Sequence, residues 1–385
     1  MIPGPRSAAI VGVGNTDYHA LYRQHVLPRA AEGYGLAAFR DGLTDAGLTI
    51  EQIDGLITSG SDSFAYLPFA QRAGLRNVRF AAAYPLSGRM CTVALGHASM
   101  IVEAGLADYV ALIYSTDQRS SHQRYGADVG GSGGSMYDKA FGIDSPGALY
   151  SMAYSRYLDQ HGYRGREHLL AAVPIASRRH AALNPKAVMQ TPLSTSDYLA
   201  ARYIARPLRL FDYCLPSDGA VCLIVTTLER ARNLRKPPVT LVAPVHRASM
   251  CEWLVPEDRW YATCKALSES LLNPLGLGRA DLSSLAVYDN FSVAVLWALE
   301  GLGYCGAGEA LEWVQGGRVE IGGELPINTS GGMLSEAFMQ GWNLHAEAVR
   351  QLRGDAGERQ LAACQAILYI CLAHVSGASL MMRAD

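Results

Sequence analysis

The chain runs twice through the same order of elements. A short apolar strand, AAIVGV from Ala8 to Val13, leads into a helix-like run from about Ala30 and then GLTIEQIDGLITSGS. Near Val239 the order returns as VTLVAPV, a helical run around YATCKALSESLL, and GLGRADLSSLAVYDN. Setting Gly47-Leu48 on Gly276-Leu277 places Ile53, Leu56 and Ile57 opposite Leu282, Leu285 and Ala286. A further helix and strand follow each time: VALGHASMIVEAG before YVALIYST, and NLHAEAVRQLRG before QAILYICLA. Short apolar runs between amphipathic helices are the mark of buried strands under a helical cover. The repeat predicts an α/β fold of two duplicated halves, 1–235 and 236–385.

Roughly residues 119–200 stand outside the repeat. They are rich in Tyr, Gly, Ser and Arg and include GADVGGSGGSMYDKAFG. That composition predicts an inserted loop or cap, with Gly131 to Gly134 as a flexible turn. GGSGG is followed by no Gly-Lys-Ser/Thr, and GVGNTD lacks the third glycine of a dinucleotide fingerprint. Nucleotide hydrolysis and NAD chemistry are therefore disfavoured.

Of 385 residues, 49% are hydrophobic and 18% charged, enough for a large core. The 33 basic and 35 acidic residues leave a net charge of −2, with no basic face for nucleic acid and no polybasic membrane anchor. No apolar run approaches the roughly 18 residues of a membrane span, and the expected location is the cytoplasm. The eight cysteines are scattered without C-x-x-C or zinc-ligand spacing, so they read as reduced core thiols and no metal is expected.

Three phrases then narrow the family. They are HAALNPKAVMQTPLSTSDYLAARYIARPLRLFDYCLPSDGAVCLIV (180–225), VYDNFSVAVLWALEGLGYC (287–305), and PINTSGGMLSEAF with the helix after it. Together they resemble the thiolase superfamily, and within it the sterol-carrier-protein-type thiolases. The resemblance implies a five-layered α/β/α/β/α arrangement of duplicated halves with a loop domain, and a tight homodimer.

Thiolase chemistry needs a Cys nucleophile, an oxyanion pocket and a second acid/base, and each can be sought here. Counting back from Ala94-Leu95, the nucleophile position falls on Ser87-Gly88 in PLSGRMCTVAL, where there is no Cys. Cys91 lies about one helical turn further on. It has two readings: a shifted nucleophile activated by a helix N-terminus, or a small packing residue. The family's His-Asp-Cys-Phe stretch corresponds to Tyr288-Asp289-Asn290-Phe291. A Tyr288 hydroxyl there could donate to a thioester enolate; otherwise the ring packs on the adjacent helix. The family's Gly-His-Pro corresponds to Ala337-Phe338-Met339, so Phe338 replaces the pocket His.

One branch shows this kind of loss: the lipid-transfer-protein-type aldolases acting on steroid side-chain CoA thioesters. They are similar in carrying YDxF, SEA-aromatic and SGR-like phrases. The resemblance implies retro-aldol cleavage of a β-hydroxyacyl-CoA with no covalent acyl-enzyme. Coenzyme A then enters as part of the substrate and no other cofactor is needed. The branch also implies a small partner subunit with an OB-fold and a zinc ribbon. Its SEA-aromatic residue is a Tyr, where this chain has Phe338. Glu336, His374 in CLAHVSGAS, and Cys371 earlier in the same run are the candidates to replace that acid/base. Gly331, Gly332 and Gly377 are read as allowing close backbone approach to a ligand, with Ser87 and Gly88 on the same pocket. Asn328 is read as orienting the loop, and Arg178, Arg179 and Lys186 as contacts for coenzyme A phosphates. The expected function is a thiolase-fold carbon–carbon lyase. The alternatives are an acyl-CoA-binding scaffold subunit and an acyltransferase using Cys91.

Overall fold

A computed structural model describes residues 6–23, 31–60, 64–84, 90–122, 140, 143, 145–248, 257–372 and 375–384. Among these residues there are eleven strands: β1 (Ala8–Asn15), β2 (Gly55–Gly60), β3 (Phe80–Tyr84), β4 (Val110–Asp117), β5 (Tyr203–Ala205), β6 (Leu208–Arg209), β7 (Asp218–Thr227), β8 (Val239–Ala248), β9 (Ser284–Val287), β10 (Ala366–Cys371) and β11 (Val375–Arg383). The main helices are α1 (Ala31–Ala46), α2 (Tyr66–Ala73), α3 (Met90–Glu103), α4 (Pro146–Gln160), α5 (Ala172–Ala182), α6 (Glu257–Leu272), α7 (Val293–Gly301) and α8 (Trp342–Arg353).

Nine strands form one sheet in the order β3-β2-β4-β7-β1-β8-β11-β10-β9, and β5 and β6 make a separate hairpin. The pairing senses on the two sides of the β1/β8 seam match. β2 runs parallel to β4 as β9 does to β10, and β4 runs antiparallel to β7 as β10 does to β11. β3 lies parallel to β2, and Ile327 makes a single parallel bridge to Leu285 at the corresponding place beside β9. At the seam, β1 and β8 pair antiparallel through Ala9–Thr240 and Ile10–Val239.

Strand alternation sorts the buried side chains into layers, because successive residues point to opposite faces. Val110, Leu112 and Tyr114 of β4, and Ile367, Tyr369 and Cys371 of β10, share one core with α3 and α8. Ala111 and Ile113 face outward onto α1 and α2. Ala366, Leu368 and Ile370 face outward onto α6 and α7. The layers are therefore α1/α2, a half-sheet, α3/α8, a half-sheet and α6/α7. Leu56 and Leu285 both lie in outer cores, while Ile57 and Ala286 both lie in the central one.

A helix covered on all sides carries no polar stripe. All nine residues of α7, VAVLWALEG, are buried. Each large aliphatic side chain buried there contributes about 1.5–3 kcal/mol relative to exposure.

The described part of the segment outside the repeat is a packed element. Tyr150 of α4 stacks on Trp297 at 5.6 Å and lies 4.1 Å from the Phe291 ring, so α4 is anchored in the outer core of the second half. The expected turn at Gly131 to Gly134 lies outside the described residues. Among those described, no helix is long and apolar enough to cross a membrane. No group of three or more His, Cys, Asp or Glu among them is placed to hold a metal.

Candidate active site

The site is built at the end of β9. The alternation that turns Leu285 and Val287 outward brings Tyr288 into the central core, 7% exposed. Beside it, the backbone of PINTSGG takes the place of a neighbouring strand. Leu285 N–H donates to Pro326 O at 3.1 Å, and Asn328 N–H donates to Leu285 O at 3.0 Å. Asn328 then leaves strand geometry with φ 52°. Its side chain continues the ladder by one residue. Asn328 Oδ1 accepts from Val287 N–H, and Nδ2 donates to Val287 O, each at 2.8 Å.

Asp289 closes the next turn. Its Oδ1 accepts from Met333 N–H at 2.8 Å, tying β9 to a single π-type turn over Gly332–Glu336. Burial pushes the Asp289 carboxyl up to about 6, with the Met333 N–H and the Asn328 amide pulling the other way. A Cβ on Gly332 would collide with Asp289 Oδ2, and one on Gly331 would come within 2.6 Å of Ala181 Cβ. Both glycines have positive φ, 105° at Gly331 and 61° at Gly332. The space read from sequence as close approach to a ligand is filled here by protein. Gly377 follows the same rule, since a Cβ there would strike Thr92 Oγ1 of α3.

Helix α5 locks the turn from the other side. Ser177 Oγ donates to Gly331 O. His180 Nε2 accepts from Ile321 N–H at 3.0 Å, so its Nδ1 carries the proton and donates to Asn328 O at 3.2 Å. Burial depresses the His180 pKa and keeps this tautomer neutral. The sequence reading gave His180 no role, although it opens the HAALNP phrase. Arg178, expected among coenzyme A contacts, is turned inward onto Ser335 Oγ and Thr191 O. Arg179 pairs with Glu320, and Lys186 Nζ donates to Asn15 O at 3.0 Å. These cations are engaged by the protein itself.

Phe338 is fully buried, with its N–H on Ser217 Oγ at 3.0 Å. Its ring meets that of Tyr288 edge-on, with centroids 6.3 Å apart. The Tyr288 hydroxyl donates to Gln340 Oε1 at 3.2 Å. Gln340 was not singled out in the sequence, where it is one more polar residue before a glycine.

Glu336 belongs to a different network. It accepts from Ser330 Oγ at 2.6 Å, Asn343 Nδ2 at 2.8 Å and Asn184 Nδ2 at 3.2 Å. Burial raises its carboxyl to about 7 against these donors. It lines a groove of 590 Å³ together with Asn15, Lys186 and Arg350, and Tyr288 is not part of that groove.

Cys91 is fully buried in the first turn of α3, and its Sγ donates to Tyr369 Oη at 3.3 Å. Burial pushes the thiol up to about 12, opposite to the activation expected at a helix start. The packing reading of Cys91 therefore fits, and the nucleophile reading does not. Ser87, Gly88 and His374 lie outside the described residues. The structure thus gathers Tyr288, Asp289, Asn328, Gly331, Gly332 and Phe338 around one turn, with Glu336 on its far side. Among the described residues this constellation offers a buried phenolic donor beside the buried Asp289 carboxyl, which suits charge stabilisation better than acyl transfer.

Comparison with known proteins points the same way. A family profile described as thiolase C-terminal domain-like matches residues 261–384. The chain is 37% identical over 362 residues to the 17-hydroxy-3-oxo-4-pregnene-20-carboxyl-CoA lyase of Mycobacterium tuberculosis, covering 90% of this chain and 92% of the relative. It is 33% identical over 366 residues to a steroid side-chain-cleaving aldolase of Thermomonospora curvata, covering 91% of each. A solved structure described as an Ltp2-ChsH2(DUF35) aldolase superposes with a TM-score of 0.86 at 29% identity, over 98% of both chains.

Proposed function

Because this chain belongs to the steroid side-chain-cleaving aldolases of the thiolase superfamily, we propose that it cleaves a β-hydroxyacyl-CoA with a steroid-like acyl group, using Tyr288 to hold the thioester enolate. The chain is an enzyme, a thiolase-fold carbon–carbon lyase. In the retro-aldol step the β-hydroxyl loses its proton and its oxygen becomes a carbonyl. The bond between the α- and β-carbons breaks, and its electron pair passes into the thioester as an enolate. The α-carbon is then protonated and the shortened acyl-CoA leaves. Such a step needs a proton acceptor and a donor placed where the oxyanion forms, and no covalent intermediate.

The observation that carries this reading is the buried Tyr288 hydroxyl at the end of β9, in a core where the Cys91 thiol at the start of α3 is kept protonated by burial. Coenzyme A enters as part of the substrate, with no further cofactor. The assembly belongs to the same proposal. A second copy of the chain is supported by β3, which ends the sheet order and leaves Ala81 and Ala83 exposed. A small partner subunit, with the OB-fold and zinc ribbon that the resemblance implies, is supported by the two-component description of the solved aldolase.

Deuterium uptake at the α-carbon of propionyl-CoA in heavy water, followed by mass spectrometry, tests the enolate directly. Exchange is expected from the wild-type protein, with a loss of about a hundredfold in Tyr288→Phe, the size of effect seen on removing an oxyanion donor. Unchanged exchange in the variant would remove Tyr288 from the mechanism.

A further inference from the structure

We propose that Gln340 is a positioning residue for the lyase reaction, its amide oxygen holding the Tyr288 hydroxyl in place for the thioester oxygen; this rests on the reading of Tyr288 above. Two independent observations meet on this side chain. The first is the hydrogen bond itself, Tyr288 Oη to Gln340 Oε1 at 3.2 Å, between residues 7% and 4% exposed. The second is the backbone. Gln340 has φ 54° and is followed by Gly341 at φ 84°, and these two left-handed residues turn the chain into α8.

Glycine occupies that region without cost, whereas most L-residues lose about 1–2 kcal/mol there. Asn would meet the same backbone demand with less strain than Gln. A strained backbone persists where the surroundings over-determine it, and such positions cluster at active sites. What Gln supplies and Asn does not is reach, one methylene more, which carries the amide oxygen to Tyr288.

The ring and the tip of Tyr288 are thus fixed separately. Phe338 meets the ring edge-on, and Gln340 accepts from the hydroxyl. In the resting site the phenolic proton points at Gln340. An enolate oxygen is a stronger acceptor than a neutral amide, so the same proton turns to it as negative charge develops. No bond to hydrogen is broken in this exchange of partners. The amide limits where the hydroxyl sits before the reaction, which is how positioning lowers a barrier.

The test compares Gln340→Asn and Gln340→Glu in the propionyl-CoA exchange assay, using the full-length protein and thermal unfolding of each variant. Gln340→Asn is expected to keep or raise the melting temperature while kcat falls about ten- to a hundredfold and KM changes by less than about threefold. Gln340→Glu, which keeps the length but sets a charged acceptor against the phenol, is expected to lose at least as much kcat, because a carboxylate competes with the enolate for the same proton. Wild-type kcat in Gln340→Asn would overturn the proposal, and so would wild-type kcat in Gln340→Glu. A wild-type protein that shows no exchange would instead overturn the reading of Tyr288 on which the proposal stands.

Discussion

The Asn328 side chain satisfies both backbone groups of Val287, accepting from its N–H and donating to its carbonyl at 2.8 Å each. One amide thereby does the work of a further residue of β-ladder at the strand end that carries Tyr288. Asn328→Ala removes both bonds, strands two buried backbone groups, and leaves a β-carbon at φ 52° without the side chain that favours it. A loss of about 2–4 kcal/mol is expected from a shift in the urea midpoint, together with reduced α-carbon exchange.

Burial, rather than reactivity, accounts for Cys91. Its thiol is fully buried and pushed up to about 12, so less than a thousandth is thiolate at neutral pH by the ordinary titration law. Cys91→Ala is expected to keep exchange within about threefold of wild type, with the modest stability cost of removing a small buried atom. Intact-mass spectra after incubation with propionyl-CoA are expected to show no added acyl group. A covalent adduct lost in the variant would reinstate an acyl-transfer mechanism.

Stability should fall between about pH 4.5 and 7 through Glu336. Its folded pKa, about 7, lies above the ordinary 4.5, so the native state holds a proton that the unfolded chain gives up first. The contribution is complete below pH 4.5 and fades as pH rises to about 7, by up to about 3 kcal/mol. Glu347 runs the other way: burial works against its charge too, but Arg359 at 3.0 Å holds its carboxyl low, so its contribution is lost in acid. In Glu336→Gln the slope over pH 5–7 should flatten, whatever constant offset arises from an amide facing the Asn184 donor. Chemical denaturation at several pH values reads the slope directly.

The layered fold was legible because its signal is periodic. Matching Gly47-Leu48 to Gly276-Leu277 in the sequence already paired Leu56 with Leu285 and Ile57 with Ala286, and those pairs face outward and inward together. The place of Tyr288 was legible for the same reason, as the end of a buried strand. The sign of the Cys91 shift was not, since a helix start and burial act in opposite directions and only packing decides between them. Nor was Gln340 legible. Its backbone conformation comes from the turn into α8, and its partner lies on another strand. Gly331, Gly332 and Gly377 were read as making room for a ligand, whereas the atoms that a Cβ would meet there belong to Ala181, Asp289 and Thr92.

One feature of the large sheet limits which of its edges can pair with anything outside it. Inner strands β1 and β8 consume each other's edges, and β9 is covered by the bridge from Ile327. Among the described residues this leaves β3 as the open rim. A particle with two sticky rims can polymerise without limit, but a particle with one can only meet its twin and stop. Duplication within the chain has thereby turned two inner edges against each other and left β3 as the open edge of the large sheet among the described residues.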